Sequence, residues 1–232
     1  MASQPPSNEA FLREVDEELR RDQMAGFWTR WGRWVAVAVL VALAAFGGWI
    51  WWQHEQTKKN DLLGEQMAGV LADLEAGKDK DVAARLKPLI DSGSPGYRAT
   101  ARFASAGMKL QKDDLKGAAA DFKAVADDAA VPKPFRDLAL IRQTAAEYDT
   151  LKPADIVARL KPLAQKGNPW FGSAGEMVAI AYINMNQPKL AGPLYAEISK
   201  DKTVPDTLRS RAVQMAGVLG IDAVDQPTGD EK

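Results

Sequence analysis

Nineteen consecutive residues without a charge, 34–52 (WVAVAVLVALAAFGGWIWW), limit what this chain can fold into more than any other stretch of it. As a helix they span roughly 28 Å, close to the hydrocarbon thickness of a bilayer. A helix is required there because lipid offers no partners to unpaired backbone groups. Trp28, Trp31 and Trp34 lie at or just before the start of the run, and Trp49, Trp51 and Trp52 close it. Six of the seven Trp therefore sit where interfacial aromatic belts belong, which a buried helix of a water-soluble core would not need. The sequence predicts a transmembrane helix over 34–52. A cleaved signal peptide fits poorly, because 33 residues precede the run and bulky Trp and Ile stand where small cleavage-site residues should be. Arg20, Arg21, Arg30 and Arg33 lie on the N-terminal side, against Lys58 and Lys59 beyond the run. This balance predicts a cytoplasmic N-terminus and places the rest of the chain on the outer face of the membrane.

Charge and residue usage exclude several chemistries. Residues 1–52 hold five Arg and six Asp or Glu, which leaves 25 charges of each sign in residues 53–232. A neutral domain lacks the electrostatic footprint of a nucleic-acid binder. There is no Cys, and the only His is His54. Thiol catalysis, Ser-His pairs and His/Cys zinc sites are thereby excluded. Neither GxGxxG nor GxxxxGK[ST] occurs, so no phosphate-cradling loop is expected. The expectation is a chain with no catalytic residue, no cofactor and no metal.

Before the anchor, residues 1–7 are polar and read as disordered. Ser7 or Asn8 caps a helix in which Phe11, Leu12, Val15 and Leu19 share one face. That stripe either lies on the inner membrane surface, docks on a cytoplasmic partner, or belongs to a solvated extension. Beyond the anchor, 53–76 contains no Pro, and Leu63, Met67, Val70, Leu71 and Leu74 recur at helical spacing, so the apolar helix is expected to run on until Gly77 ends it.

The remainder repeats itself. Residues 81–95 (DVAARLKPLIDSGSP) and 155–169 (DIVARLKPLAQKGNP) are identical at nine of fifteen positions at an offset of 74. Residues 131–139 (VPKPFRDLA) and 204–212 (VPDTLRSRA) form a second pair at an offset of 73. Pro95, Pro132, Pro169 and Pro205 thus mark steps of 37, 37 and 36 residues, the period of a stacked helix–turn–helix array. Helices are expected near 55–76, 80–91, 96–111, 114–128, 133–149, 153–166, 169–185, 188–200 and 205–219, with no sheet. Ala99, Ala101, Ala104, Ala106, Ala118, Ala119, Ala120 and Ala124 provide small faces for close helix approach. Pro88, Pro162 and Pro193, each seven residues after a plausible cap (Asp81, Asp155, Asn186), are expected to bend three helices in the same way. The tail 221–232 reads as loose.

Trp170, in the segment NPWF (168–171), is the one Trp outside the anchor region. It is either an aromatic anchor for a partner or a ring wedged between helix pairs, with Asn168 as the helix cap. Packing is favoured, because Tyr97 and Phe171 fall at equivalent repeat positions. Tyr148, Tyr182 and Tyr195 read as core or groove walls. Asp113–Asp114 and Asp127–Asp128 read as solvated turns and caps rather than metal ligands.

Two segments resemble a known family. FLREVDEELRRDQ (11–23), directly before a Trp-flanked anchor, and NPWFGSAGEMVAIAYI (168–183) are similar to the bacterial inner-membrane tetratricopeptide-like proteins of the YfgM type. The resemblance implies an ancillary subunit of the SecYEG translocon that cooperates with periplasmic chaperones or meets emerging secretory chains. It implies no catalysis.

The sequence therefore predicts an all-α protein with one transmembrane helix and a TPR-like α-solenoid of about four helix pairs plus a terminal helix. The expected divisions are a cytoplasmic segment 1–33, an anchor 34–52, a periplasmic repeat domain 53–220 and a tail 221–232. Residues expected at the membrane interface are Trp28, Trp31, Trp34, Trp49, Trp51 and Trp52; Phe11, Val15, Leu19 and Trp170 are candidate partner contacts. The alternatives are a scaffold for envelope assembly or division, and a tethered enzyme using carboxylates such as Asp113 or Asp155.

Overall fold

A computed structural model describes residues 8–78 and 80–223, with side chains from residue 29 onward. Among the described residues the chain is entirely helical. The order is α1 (Asn8–Glu75), α2 (Val82–Ile90), α3 (Pro95–Gln111), α4 (Leu115–Ala126), α5 (Lys133–Ala146), α6 (Pro153–Leu160), α7 (Phe171–Asn184), α8 (Pro188–Lys200) and α9 (Asp206–Val218). The expectations for 1–7 and for the tail past 223 lie outside the described residues, as do the side chains of Phe11, Val15, Leu19 and Trp28.

Two compact units make up the chain, Met1–Asp61 and Leu62–Lys232. In the first, the apolar part of α1 is long and apolar enough to cross a membrane, and none of it is buried against other protein. Trp31, Trp34, Trp49, Trp51 and Trp52 are all exposed. The Arg33 guanidinium lies 5.9 Å from the Trp34 ring centre, within cation–π range.

The second unit consists of the last part of α1 and α2 through α9. Its core shows the repeat directly. At an offset of 74, Val82, Leu86 and Leu89 of the α2 segment match Ile156, Leu160 and Leu163. At an offset of 73, Ala118, Phe122, Val125, Val131 and Ala139 match Ala191, Tyr195, Ile198, Val204 and Ala212. All sixteen are buried. Burying a side chain the size of Leu or Phe stabilises by about 1.5–3 kcal/mol, so an apolar residue is needed at each of these places in every copy. Met67 and Val70 of α1 join Val82, Leu86 and Leu89 in the first cluster, which completes four helix pairs with α9 as the terminal helix.

Chain reversals follow from backbone chemistry. Gly77 (φ +67°) ends α1, and the Lys78 N–H donates to the Asp73 carbonyl at 2.8 Å. Asp113 takes the same left-handed conformation after α3 (φ +59°), with the Asp114 N–H on the Lys109 carbonyl at 2.8 Å. A left-handed residue of this kind satisfies the last free carbonyls of a helix.

Three expectations are corrected. The helix expected over 153–166 stops at Leu160, so Pro162 does not bend a helix shared by three units. Pro162 has no N–H for the Ala158 carbonyl, and the chain tightens so that the Leu163 N–H donates to Leu160 at 2.9 Å. Pro88 and Pro193, by contrast, lie inside α2 and α8. The helix expected from 169 begins at Phe171. The Asn168 side-chain oxygen accepts from the Trp170 N–H at 2.9 Å, so Asn168 closes a turn before the helix and Trp170 takes the cap position. Finally, Asp81 and Asn186 adopt left-handed φ, and neither Asp81 nor Gln187, the residue before α8, caps its helix through a side chain.

Candidate functional site

Within the second unit an open groove of about 420 Å³ separates the starts of α3 and α5. At about 30 Å³ per water it is far larger than a packing defect, and it falls in the size range of ligand sites. Pro95, Tyr97 and Thr100 of α3 form one wall. Val131 and Pro132, from the α4–α5 connection, and Phe135 of α5 form the other. Phe135 is 48% exposed.

An ion pair beside the groove links α3 to the α4–α5 connection. Arg98, one turn into α3, donates to the Asp128 carboxylate through Nε at 2.8 Å and through a terminal nitrogen at 2.6 Å. Its other terminal nitrogen donates to the Ser92 carbonyl at 2.9 Å. Asp128 also accepts from the Ala130 N–H at 3.0 Å, which shapes the connection into α5. The Arg98 hydrogen bonds hold the Asp128 carboxyl below its usual range, against the opposing effect of burial.

The equivalent place between α7 and α9 is closed. Asp201 matches Asp128 and makes the same turn, accepting from the Thr203 N–H at 2.9 Å and its hydroxyl at 2.6 Å. These bonds, the hydroxyl's first, lower the Asp201 pKa. Where α3 has Arg98, α7 has Gly172. A Cβ on Gly172 would stand 2.7 Å from Val204 and 3.4 Å from Leu208, so those side chains occupy the space directly. Leu208, the counterpart of Phe135, is thereby partly buried in the core cluster of α7–α9.

Other carboxylates are held in ties between neighbouring helices. Asp121 accepts from Ser105 and Lys109, both at 2.6 Å. Glu147 pairs with Arg159 at 2.6 Å. Glu176 takes Arg211 in a two-pronged bond at 2.9 and 2.7 Å, which raises the Arg211 pKa. Tyr148 donates to the Met177 carbonyl at 3.1 Å, and burial raises its pKa. Tyr195 is 1% exposed and its phenol is pushed up to about 12, first by burial and then by the charge of Glu176. Asp113 is exposed in the turn after α3, and Asp155 is exposed at the start of α6. No metal-ligating cluster occurs among the described residues. No charged side chain lines the groove.

Among the residues singled out from the sequence, Trp170 is half-buried against the cluster of Ile156, Leu160 and Val178, away from the groove. Tyr195 is core, Tyr182 is half-buried, and His54 is exposed on α1. The groove itself was not anticipated. The signal was available in the repeat alignment, where Arg98 faces Gly172 and Phe135 faces Leu208.

Comparison with known proteins identifies one family model, the tetratricopeptide repeat-like domain, which matches residues 25–212. No curated protein and no solved structure matches the chain.

Proposed function

The chain belongs to the tetratricopeptide repeat-like domain family, and on that premise we propose that it is a membrane-anchored scaffold of the YfgM type. Repeats of this kind hold other proteins on extended helical surfaces. In this reading, residues 1–33 are cytoplasmic, 34–52 span the inner membrane, 53–220 form the periplasmic repeat domain and 221–232 are a tail. The partners are the SecYEG translocon and periplasmic chaperones or secretory chains.

One observation carries the anchoring: among the described residues, none of the apolar stretch of α1 is buried. Val37, Leu40, Val41, Leu43 and Phe46 are exposed together. A contiguous apolar surface of that size is not stable in water, and a bilayer covers it. The Trp residues at both ends suit the two interfaces, and the cation balance favours a cytoplasmic N-terminus. The family match begins at residue 25 and so includes the apolar run, which supports treating anchor and repeats as one device. Confinement to the membrane raises the effective concentration of the repeats near membrane partners. Phe11, Val15 and Leu19 supply a cytoplasmic contact in this reading, and Trp170 a periplasmic one.

Affinity capture from native membranes tests the assignment, comparing the full chain with one lacking residues 1–52. Translocon subunits recovered with the full chain and lost on truncation support it. Recovery of envelope-synthesis proteins without translocon subunits would replace it with an envelope scaffold.

A further inference from the structure

The two ends of the apolar stretch of α1 differ in charge. From residue 23 to residue 54 the only charged side chains are Arg30 and Arg33. We infer that these two arginines, with the indoles of Trp31 and Trp34 beside them, bind the headgroup of an anionic phospholipid in the leaflet on the N-terminal side. The inference rests on the membrane-anchored reading above and names the lipid class that the anchor selects.

Charge is the deciding argument. Arg30 and Arg33 stand three residues apart on one unbroken helix, which puts their Cβ atoms about 5–6 Å apart on one face. Both are exposed, and like charges at that spacing repel. The chain supplies no carboxylate nearby to relieve this. The nearest acidic residues in sequence are Asp22 and Glu55. At about 1.5 Å per residue they lie about 12 Å from Arg30 and about 33 Å from Arg33 along the helix. The Arg33 guanidinium lies 5.9 Å from the Trp34 ring centre, a contact that leaves its in-plane N–H donors open to an acceptor. Trp31 and Trp34 are 53% and 59% exposed, and indoles at the end of a span sit at headgroup depth, where lipid phosphates are. A phosphate there takes charge-assisted hydrogen bonds from both guanidiniums. A zwitterionic lipid adds its own ammonium to this positive pair, whereas an anionic lipid neutralises it. The far end is compensated within the chain. Lys59 pairs with Glu55 at 3.9 Å, and Lys58 stands three residues from Asp61. Cations there have carboxylates within a turn and call for no anionic lipid.

The test uses the full chain in detergent micelles, read by native mass spectrometry. The probes are dioleoylphosphatidylglycerol and dioleoylphosphatidylethanolamine, which share acyl chains and differ in headgroup charge. Phosphatidylglycerol should bind about thirtyfold more tightly, from about fivefold for each arginine beside an anionic headgroup. Arg30→Gln with Arg33→Gln should bring the two affinities together. Arg30→Lys with Arg33→Lys keeps the charge and should keep most of the preference. Lys58→Gln with Lys59→Gln should leave it unchanged. All four positions are exposed, so these substitutions disturb no packing. Soluble glycerol phosphate in excess should not displace the lipid. Equal affinity of the unmodified chain for the two lipids would overturn the inference. So would a preference that survives the double Gln variant, one that the double Lys variant loses as completely, or one that Lys58→Gln with Lys59→Gln abolishes. Displacement by glycerol phosphate would overturn it too, by making free phosphate the ligand. Alkaline carbonate extraction separates this site from the anchoring. A chain released from membranes removes both readings, whereas a chain retained there with equal lipid affinities removes this inference alone.

Discussion

Replacing Gly172 by alanine tests the packing difference on which the groove depends. An alanine methyl at this position would lie 2.7 Å from Val204 Cγ1, 3.2 Å from its other methyl and 3.4 Å from Leu208. Val204 is 5% exposed and branched at Cβ, so it has little freedom to turn away. Over-packing of this kind costs about 1–3 kcal/mol. Against it stands the helix preference of Ala over Gly, worth about 1 kcal/mol. The net expectation is a loss of about 1 kcal/mol. With a urea slope of about 2 kcal/mol/M, the midpoint of the full chain in micelles, followed by circular dichroism, should fall by about 0.5 M. Gly107 in α3 is the control, since a Cβ there meets nothing within 4 Å; Gly107→Ala should stabilise by about 1 kcal/mol. Adding Val204→Ala to Gly172→Ala should give a coupling of about 1 kcal/mol, because the new methyl then occupies space the valine vacates. If Gly172→Ala stabilises as Gly107→Ala does, or the coupling is below about 0.3 kcal/mol, the close-contact reasoning is wrong.

Two titrating groups give further expectations. Asp128→Asn leaves Arg98 half-buried without its counter-charge and should cost about 1–2 kcal/mol at pH 7, less than a fully buried pair because both side chains keep some water contact. The native Asp128 pKa is depressed, so its contribution is present above the unfolded value near 3.9 and is lost as pH falls through the lower native value. The stability gap between wild type and Asp128→Asn, from urea titrations at several pH values, should therefore shrink below about pH 4. Tyr195 titrates the other way. Its native pKa of about 12 exceeds the unfolded value near 10, so its contribution is complete below pH 10 and is lost as pH rises through 12. The change is about 3 kcal/mol at 1.36 kcal/mol per pH unit, and Tyr195→Phe should remove that part of the alkaline loss.

Much of this architecture is legible in the residues, for a physical reason. A repeating stack buries the same positions in each copy, so the offsets of 73 and 74 carry the core as well as the helix count. Pro95 and Pro188 at first helical positions likewise show where α3 and α8 start. Less legible is what one shared motif does in two settings. ARLKPL occurs in α2 and at α6, yet α2 runs through its proline and α6 ends two residues before it. The local residues are the same and the outcome differs, so tertiary packing decides. Asn168 was misplaced as a helix cap because its side chain can serve a turn as readily as a helix.

The groove falls in this second category. Position 131 and its counterpart 204 are both buried valines, each followed by a proline and, four residues on, by a large apolar side chain. Taken alone, the two motifs specify the same packing. They diverge because the facing helix contributes Arg98 in one copy and Gly172 in the other. The glycine lets Val204 and Leu208 close the space, while the arginine directs its length toward Asp128 and leaves Phe135 uncovered. Stability alone would favour the closed arrangement in both copies, since an exposed ring forgoes part of its burial energy. The copy with Arg98 therefore keeps an apolar hollow and an exposed ring where the copy with Gly172 buries the corresponding side chains.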